Sequence, residues 1–338
     1  MAFCVCRHGG AAHRERIRRR RDRSPLCVTG CEEDIMNVFL AGGSGAIGVP
    51  LVRALVAAGH QVTALTRFAA NEPKLRALGA TPAVADALDA EALRRVVAAA
   101  RPSHVIHQLT ALPKAGPRSA RDLAPTNRLR TEGTRNLIAA AVGAGAERLV
   151  GGSFALLGAA STTPIPAGVR EAADAVRSLE SQILDASARG LIEGIVLRYG
   201  LFYGPENGTT DQLIALARHR LLPTVRGDRG LLPPIHLEDA ASATIAALER
   251  GPAGSVYDIV DDRAVSMSEM ALAIAESVGA PRPIAVPSWL PRLLSPYMAR
   301  MMAIRLPLSN EKARVDLGWR PSYPTIHEGL SQLRRHAA

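Results

Sequence analysis

The chain has 338 residues, 47% of them hydrophobic and 4% aromatic, with a formal net charge of +10. That apolar share suffices for a sizeable core without metal or disulfide support. No apolar run of about 18 residues occurs, so no membrane-spanning helix is expected, and no apolar segment follows the N-terminal charges as a secretory signal requires.

Residues 1–35 stand apart. They hold all four cysteines (Cys4, Cys6, Cys27, Cys31) and the arginine-rich run Arg14–Arg23. Cys-x-Cys followed by Cys-x3-Cys does not match the usual spacing of a zinc site. The arginines lack interleaved aromatics and any recognition motif for nucleic acid. The stretch is expected to be a disordered basic extension without metal or nucleic-acid partner, with the folded part starting at Met36. No cysteine follows Cys31, which fits a reducing, cytoplasmic compartment.

The next stretch carries most information. The apolar run Val38–Ala41 leads into Gly42, Gly45 and Gly48, and Pro50–Gly59 then reads as a helix closed by a glycine. Strand, glycine turn and helix form the layout of a dinucleotide pyrophosphate site. Gly42 permits the tight turn, Gly45 lets backbone N–H groups approach phosphate, and Gly48 lets the helix pack close with its positive end toward the anion. Ser44, Ala46 and Ile47 belong to the same cofactor turn. A second apolar run, Gln61–Leu65, ends in Thr66–Arg67. No acid lies between Thr63 and Phe68 to bind a ribose 2′-hydroxyl, and Arg67 suits a 2′-phosphate. NADPH/NADP is therefore expected ahead of NAD.

Further strand-like runs follow at Thr81–Ala85, His104–Leu109, Arg148–Gly152, Gly194–Leu197 and Val256–Ile259. Helical patterns at Glu91–Ala100, Arg128–Val142, Ala172–Ser187 and Asp239–Leu248 separate them. Alternation of this kind predicts an α/β fold: a Rossmann doubly wound parallel sheet of about seven strands. Pro and Gly gather in Ala111–Pro125, Gly204–Thr210 and Leu222–Pro234, loops expected over the carboxyl ends of the strands. The expected division is a nucleotide-binding domain over 36–280, with a substrate-lobe insertion at about 204–235, and a C-terminal lobe and lid over 281–338.

Several motifs together resemble the extended short-chain dehydrogenases/reductases, the NAD-dependent epimerase/dehydratase group. Ala41–Gly48 resembles its glycine fingerprint. Ala85–Asp86–Ala87–Leu88–Asp89 is similar to its G-D-l-x-D, Val105–Ala111 to its V-I-H-L-A-A, and Gly133–Leu137 to its G-T-x-N-L-l. Leu197–Pro205 resembles L-R-x-g-x-x-Y-G-P, and Ile235–Ala240 resembles v-H-V-x-D-v. The likeness spans about residues 36–330. It implies that Asp86 and Ala87 lie by the adenine, and that Leu109, Thr110, Ala111, Tyr199 and Leu201 line the cofactor.

The departures bear on mechanism. In this family a Ser, a Tyr and a Lys run the proton transfer. Ser153 falls where the serine is expected. Glu180 fits the acid that follows the Lys by four residues, which puts Val176 at the Lys position and Ala172 at the Tyr position. No Tyr precedes Tyr199, and Arg130 stands where the family has Asn. Three consequences are open: cofactor binding without catalysis, a substitute acid (Tyr203, Tyr199, Thr110, His107 or Lys114), or a substrate that handles its own proton and charge. Ser153 and Tyr203 are carried forward as catalytic candidates.

Trp289, Leu293, Tyr297 and Met301 recur four apart. With Lys114 and Phe154 they form an expected substrate wall or lid, ordinary packing being the equal alternative. The expected function is an NADPH-dependent ketoreductase of a bulky polycyclic aromatic ketone, an angucyclinone-like polyketide of antibiotic biosynthesis. The alternatives are a non-catalytic NADP-binding sensor or assembly protein, and a sugar epimerase or dehydratase. No membrane, metal or nucleic-acid partner is expected, and the protein is read as a monomer or homodimer.

Overall fold

A computed structural model describes residues 35–113, 117, 119–158, 169–205, 207–294, 305–306 and 308–336. The basic extension, its cysteines, Lys114, Tyr297 and Met301 lie outside the described residues. In chain order the main elements are β1 (Asn37–Ala41), α1 (Gly48–Ala57), β2 (Gln61–Thr66), α2 (Glu72–Ala77), β3 (Thr81–Val84), α3 (Ala90–Ala100) and β4 (His104–His107). Then come α4 (Ala124–Arg128), a widened turn (Leu129–Gly133), α5 (Thr134–Gly143), β5 (Arg148–Phe154), α6 (Ala155–Gly158), α7 (Arg170–Ala188), β6 (Glu193–Tyr199) and β7 (Leu201–Tyr203). The chain continues through α8 (Gly208–Arg218), β8 (Thr224–Val225), β9 (Pro234–His236), α9 (Leu237–Arg250), β10 (Val256–Ile259) and α10 (Met267–Ser277). It closes with β11 (Ala285–Val286), α11 (Trp289–Leu294), α12 (Glu311–Leu317) and α13 (Ile326–His336).

All seven expected strands form one parallel sheet in the order β3-β2-β1-β4-β5-β6-β10. The order reverses between β1 and β4, where an open α/β sheet offers a crevice at its carboxyl edge. Side chains along each strand alternate between two buried faces. Val38, Leu40, Ile106 and Val150 pack with Leu51 and Leu55 of α1 and Ala240 and Ala247 of α9. Phe39, Ala41, Val105 and Leu149 pack with Val97 of α3, Leu137 of α5 and Ile183 of α7. Burial on both faces is why these strands read as continuous apolar runs.

The helix expected from Arg128 to Val142 is interrupted by the Leu129–Gly133 turn, where the backbone opens to i→i+5 bonding. A widened turn of this kind re-aims side chains and recurs at functional sites. Here a tertiary bond holds it, because the first hydroxyl beyond it, on Thr134, meets Nε2 of buried His107 at 2.8 Å.

Above the carboxyl edge lies a smaller lobe. β7 pairs with β9 and β8 with β11, and Ala217, Met270, Ile274, Ile326 and Leu330 share its core with Tyr203. The lobe draws on chain from both sides of residue 280. α12 instead returns to the sheet's helical layer, where Trp319 donates to Ser242 at 2.9 Å.

Candidate active site

A cleft of about 1610 Å³ runs along the carboxyl edge of the sheet and under the small lobe. One end is formed by the β1–α1 turn. Gly42 has φ +99°, and a Cβ there would stand 2.6 Å from the carbonyl oxygen of Gln108. A Cβ on Gly48 would stand 2.2 Å from the carbonyl oxygen of Gly42. Glycine at both positions brings helix and strand together and leaves the turn open. No side chain caps the start of α1, so its positive dipole end and the turn N–H groups before it face an incoming anion. The turn fits a dinucleotide pyrophosphate, with Ser44, Gly45, Ala46 and Ile47 beside Gly42 on the cleft wall. Gly48 shapes the turn from behind and does not itself line the cleft.

The strand ends next to it fit the adenosine half. Thr66, Arg67, Asp86 and Ala87 line the cleft. The Asp86 carboxylate is engaged by the N–H of Leu88 at 2.9 Å. The Arg67 guanidinium lies over the Phe68 ring, 4.7 Å from its centroid, and is open to solvent. Arg53, Asn71 and Lys74 line the same wall. The sequence reading missed them, although Asn71 and Lys74 lie only a few residues beyond β2. Asn71 ties the wall together, donating to Thr66 at 2.9 Å and to Ser44 at 3.3 Å.

Leu109, Thr110, Ala111, Tyr199 and Leu201 line the middle, with Ser153, Phe154 and Arg130. Gln108, also missed, fills the space beside Gly152 and donates to the Tyr199 hydroxyl at 2.9 Å. That hydroxyl meets Thr244 at 2.6 Å, and burial holds its pKa well above the usual phenol range.

The proposed catalytic groups are already engaged. Ser153 donates to Glu180 Oε1 at 2.6 Å, and Arg198 donates to the same carboxylate from Nε and Nη2 at 2.9 and 2.7 Å. Tyr203 is 3% exposed and donates to Asp261 Oδ2 at 2.8 Å. Burial first, then the Asp261 charge, raise its pKa far above the phenol range. Tyr203 therefore holds the small lobe to the sheet, which corrects the expectation that it supplies a proton. Burial raises Asp261 to about 7. His107 is 1% exposed, its Nδ1 accepts from Leu109 N–H at 3.2 Å, and Nε2 meets Thr134. Burial, then the nearby Arg130 charge, lower it to about 4, so it is a neutral structural histidine.

Ala172 and Val176 are buried with Leu123, Leu157 and Phe154 in an apolar cluster. The lid expectation is corrected for Trp289 and Leu293. They are 60% and 72% exposed and do not line the cleft, so α11 leaves both side chains in solvent. His236, which reasoning about catalysis passed over, lines the cleft as the cap of α9. Its Nδ1 accepts from Glu238 N–H at 3.3 Å, and its ring lies 4.3 Å from that of Tyr323.

Comparisons with known proteins place this geometry. The family model described as "NAD dependent epimerase/dehydratase family" matches residues 38–260. A Streptomyces 3-diazoavenalumate denitrifying reductase is 37% identical over 88% of this chain and 100% of its own length. A Stigmatella aurantiaca 4-hydroxy-2-methyl-3-oxo-4-farnesyl-3,4-dihydroquinoline-1-oxide ketoreductase is 29% identical over 89% of this chain and 96% of its own. The same fold occurs in the Thermus thermophilus UDP-glucose 4-epimerase solved with NAD (TM-score 0.69, 24% identity, 88% and 98% of the two chains). It occurs also in the Thermotoga maritima UDP-glucose 4-epimerase solved with UDP-glucose (TM-score 0.74, 20% identity, 89% and 98%).

Proposed function

The chain belongs to the NAD-dependent epimerase/dehydratase family, and from that premise we propose that it is an NADPH-dependent reductase of a bulky conjugated aromatic substrate. The observation that carries this reading is the state of the polar groups around the cleft. Ser153 donates to Glu180, Tyr203 donates to Asp261, and Ala172 and Val176 lie in an apolar cluster. The hydroxyls of Ser153, Tyr203 and Tyr199 are all engaged, and that of Thr110, exposed on the cleft wall, is an aliphatic alcohol too weak to act as an acid unaided. The cofactor supplies a hydride when bound. The protein's own residues bind, orient and exclude water, and orientation alone is worth several kcal/mol of barrier. Phe154, Leu156, Leu157, Val169, Met267 and Met270 give the cleft an apolar wall suited to a flat ring system. Arg67 and Lys74, with no carboxylate at the end of β2, favour the 2′-phosphate of NADP.

The substrate class we favour is a polycyclic aromatic ketone of the angucyclinone-like polyketide kind, in antibiotic biosynthesis. A ring hydroxyl beside the carbonyl supplies the proton as the hydride arrives, and the phenolate left behind spreads its charge over the ring system. The Streptomyces relative supports a second acceptor class, a diazo-substituted aromatic acid. Hydride uptake by an arenediazonium replaces the C–N bond with C–H and releases dinitrogen, again without a protein acid.

The test is NADPH oxidation by the purified protein against phenanthrenequinone and an arenediazonium carboxylate, with UDP-glucose as control. Turnover of either aromatic acceptor is expected. Conversion of UDP-glucose to UDP-galactose without net NADPH consumption would establish an epimerase. Tight NADPH binding with no turnover of anything would establish a sensor.

A further inference from the structure

We propose that Arg130 is an anion-binding residue that takes the carboxylate or phenolate oxygen of the substrate, a role resting on the reductase reading above for the site it serves. Arg130 lies on the widened turn Leu129–Gly133, on the cleft wall. Its side chain is 8% exposed, and Nη1 is buried with no hydrogen-bond partner among the described residues. No carboxylate among the described residues pairs with it, whereas the buried Glu180 is held by Arg198 from two nitrogens. Its titratable neighbour is His107, which stays neutral. A guanidinium remains protonated at neutral pH even here, where burial lowers it to about 10.

An unpaired buried cation is strongly destabilising, and a protein keeps one where a ligand completes it. Two kinds of anion would complete it, the cofactor phosphates or a substrate oxyanion. The phosphates would find their own partners at the β1–α1 turn, Arg67 and Lys74. Arg130 lines the middle of the cleft with Ser153 and Phe154, beside His107, and its fork suits a carboxylate in two-point contact. The substrate class is therefore an anionic arene: an aromatic acid or an ionised phenol.

The test uses the full chain, with Arg130→Gln, Arg130→Met and Arg130→Lys. NADPH is titrated calorimetrically, and the NADPH-saturated protein is then titrated with cinnamate and with methyl cinnamate. Expected for Arg130→Gln is cinnamate affinity lower by about tenfold or more, the size of a lost charge-assisted bond. NADPH and methyl cinnamate affinities should be unchanged, and Arg130→Lys should keep part of the cinnamate affinity. Ligand-free Arg130→Met should melt higher than wild type, because it removes an unpaired buried charge that a structural ion pair would not present. Equal cinnamate affinity in wild type and Arg130→Gln, or no cinnamate binding by wild type, overturns the proposal. So does a parallel loss of NADPH affinity, which assigns the guanidinium to the cofactor. Cinnamate bound through Arg130 in a protein that oxidises no NADPH refutes the reductase reading and leaves the anion site standing.

Discussion

Replacing Ser153 by alanine separates this site from its relatives' proton relay. In the structure the serine hydroxyl gives its proton to Glu180 across 2.6 Å, with Ser153 7% and Glu180 6% exposed. A hydrogen bond to a charged group contributes about 1.5–3 kcal/mol. Glu180 keeps both bonds from Arg198, so neither carboxylate oxygen is orphaned and the loss falls at the low end of that range. About 1 kcal/mol shifts Tm by roughly 2–4 °C in domains of 150–250 residues and by less in a longer chain, so Ser153→Ala should melt a degree or two lower. Turnover of phenanthrenequinone should stay within about tenfold of wild type, since no proton passes through the hydroxyl. The assay is initial-rate NADPH oxidation alongside an NADPH binding curve. A loss of about a thousandfold, the size of a general acid–base contribution, at unchanged NADPH affinity would show that the serine leaves Glu180 to serve the substrate.

Tyr203→Phe should likewise retain turnover while lowering the urea midpoint, because Asp261 loses the donor at 2.8 Å; a rate loss of about a thousandfold at unchanged stability would restore Tyr203 as an acid. Arg67→Ala should weaken NADPH binding by about tenfold, as expected for one solvated charge-assisted bond, and leave NADH binding unchanged; equal losses for both cofactors would remove the 2′-phosphate assignment. Acid stability follows from His107 and His236, each lowered by burial from 6.5 to about 4. Between those pH values the unfolded chain binds protons that the native chain refuses, so their contribution is full above pH 6.5 and is lost as pH falls toward 4. Asp261, raised from 3.8 to about 7, acts oppositely: its native proton favours the fold at low pH, and that contribution is lost as pH rises through 7. Burial raises Asp239 and Asp258 in the same sense, so the histidine share is read by difference: from pH 6.5 to 4 the urea midpoint of His107→Asn should fall less, or rise more, than that of wild type. An unchanged slope would show that His107 is protonated without penalty.

The sheet was legible because parallel strands buried on both faces leave no polar alternation; Val38–Ala41 and Val105–Ile106 announce themselves by composition alone. The glycine turn was legible because its spacing answers a local backbone demand. What stayed hidden is non-local. The Ser153–Glu180 bond spans 27 residues and the Tyr203–Asp261 bond spans 58, and nothing in a one-dimensional pattern says that a motif hydroxyl is already donating. Glu180 helped to align the helix, yet its charge faces Ser153 and Arg198 as a structural partner. The opening of the backbone at Leu129–Gly133 changes one hydrogen-bond register and leaves the helical periodicity of the sequence intact. The spacing of Trp289 and Leu293 describes a helix face and cannot say what lies opposite.

Most polar groups of the cleft close on one another, while Arg130 Nη1 and His236 Nε2 are buried without a partner among the described residues. Ser153 with Glu180 and Arg198, Tyr203 with Asp261 Oδ2, Tyr199 with Thr244 and Gln108, and His107 with Thr134 bond one another inside the protein. A general acid must give up a proton and take one back near neutral pH. A hydroxyl that donates to a buried carboxylate, or a phenol raised by burial, is poorly placed to do so. Arg130 is no better as an acid, since its proton is held to about pH 10. A fixed cation stabilises negative charge without moving a proton, and it does so most strongly where water is excluded. A reductase with this cleft therefore leaves the proton to the substrate and solvent and contributes orientation and one positive charge. Such a division works for acceptors that spread charge over an arene and fails for an isolated sugar carbonyl, whose oxygen needs a proton as the hydride arrives.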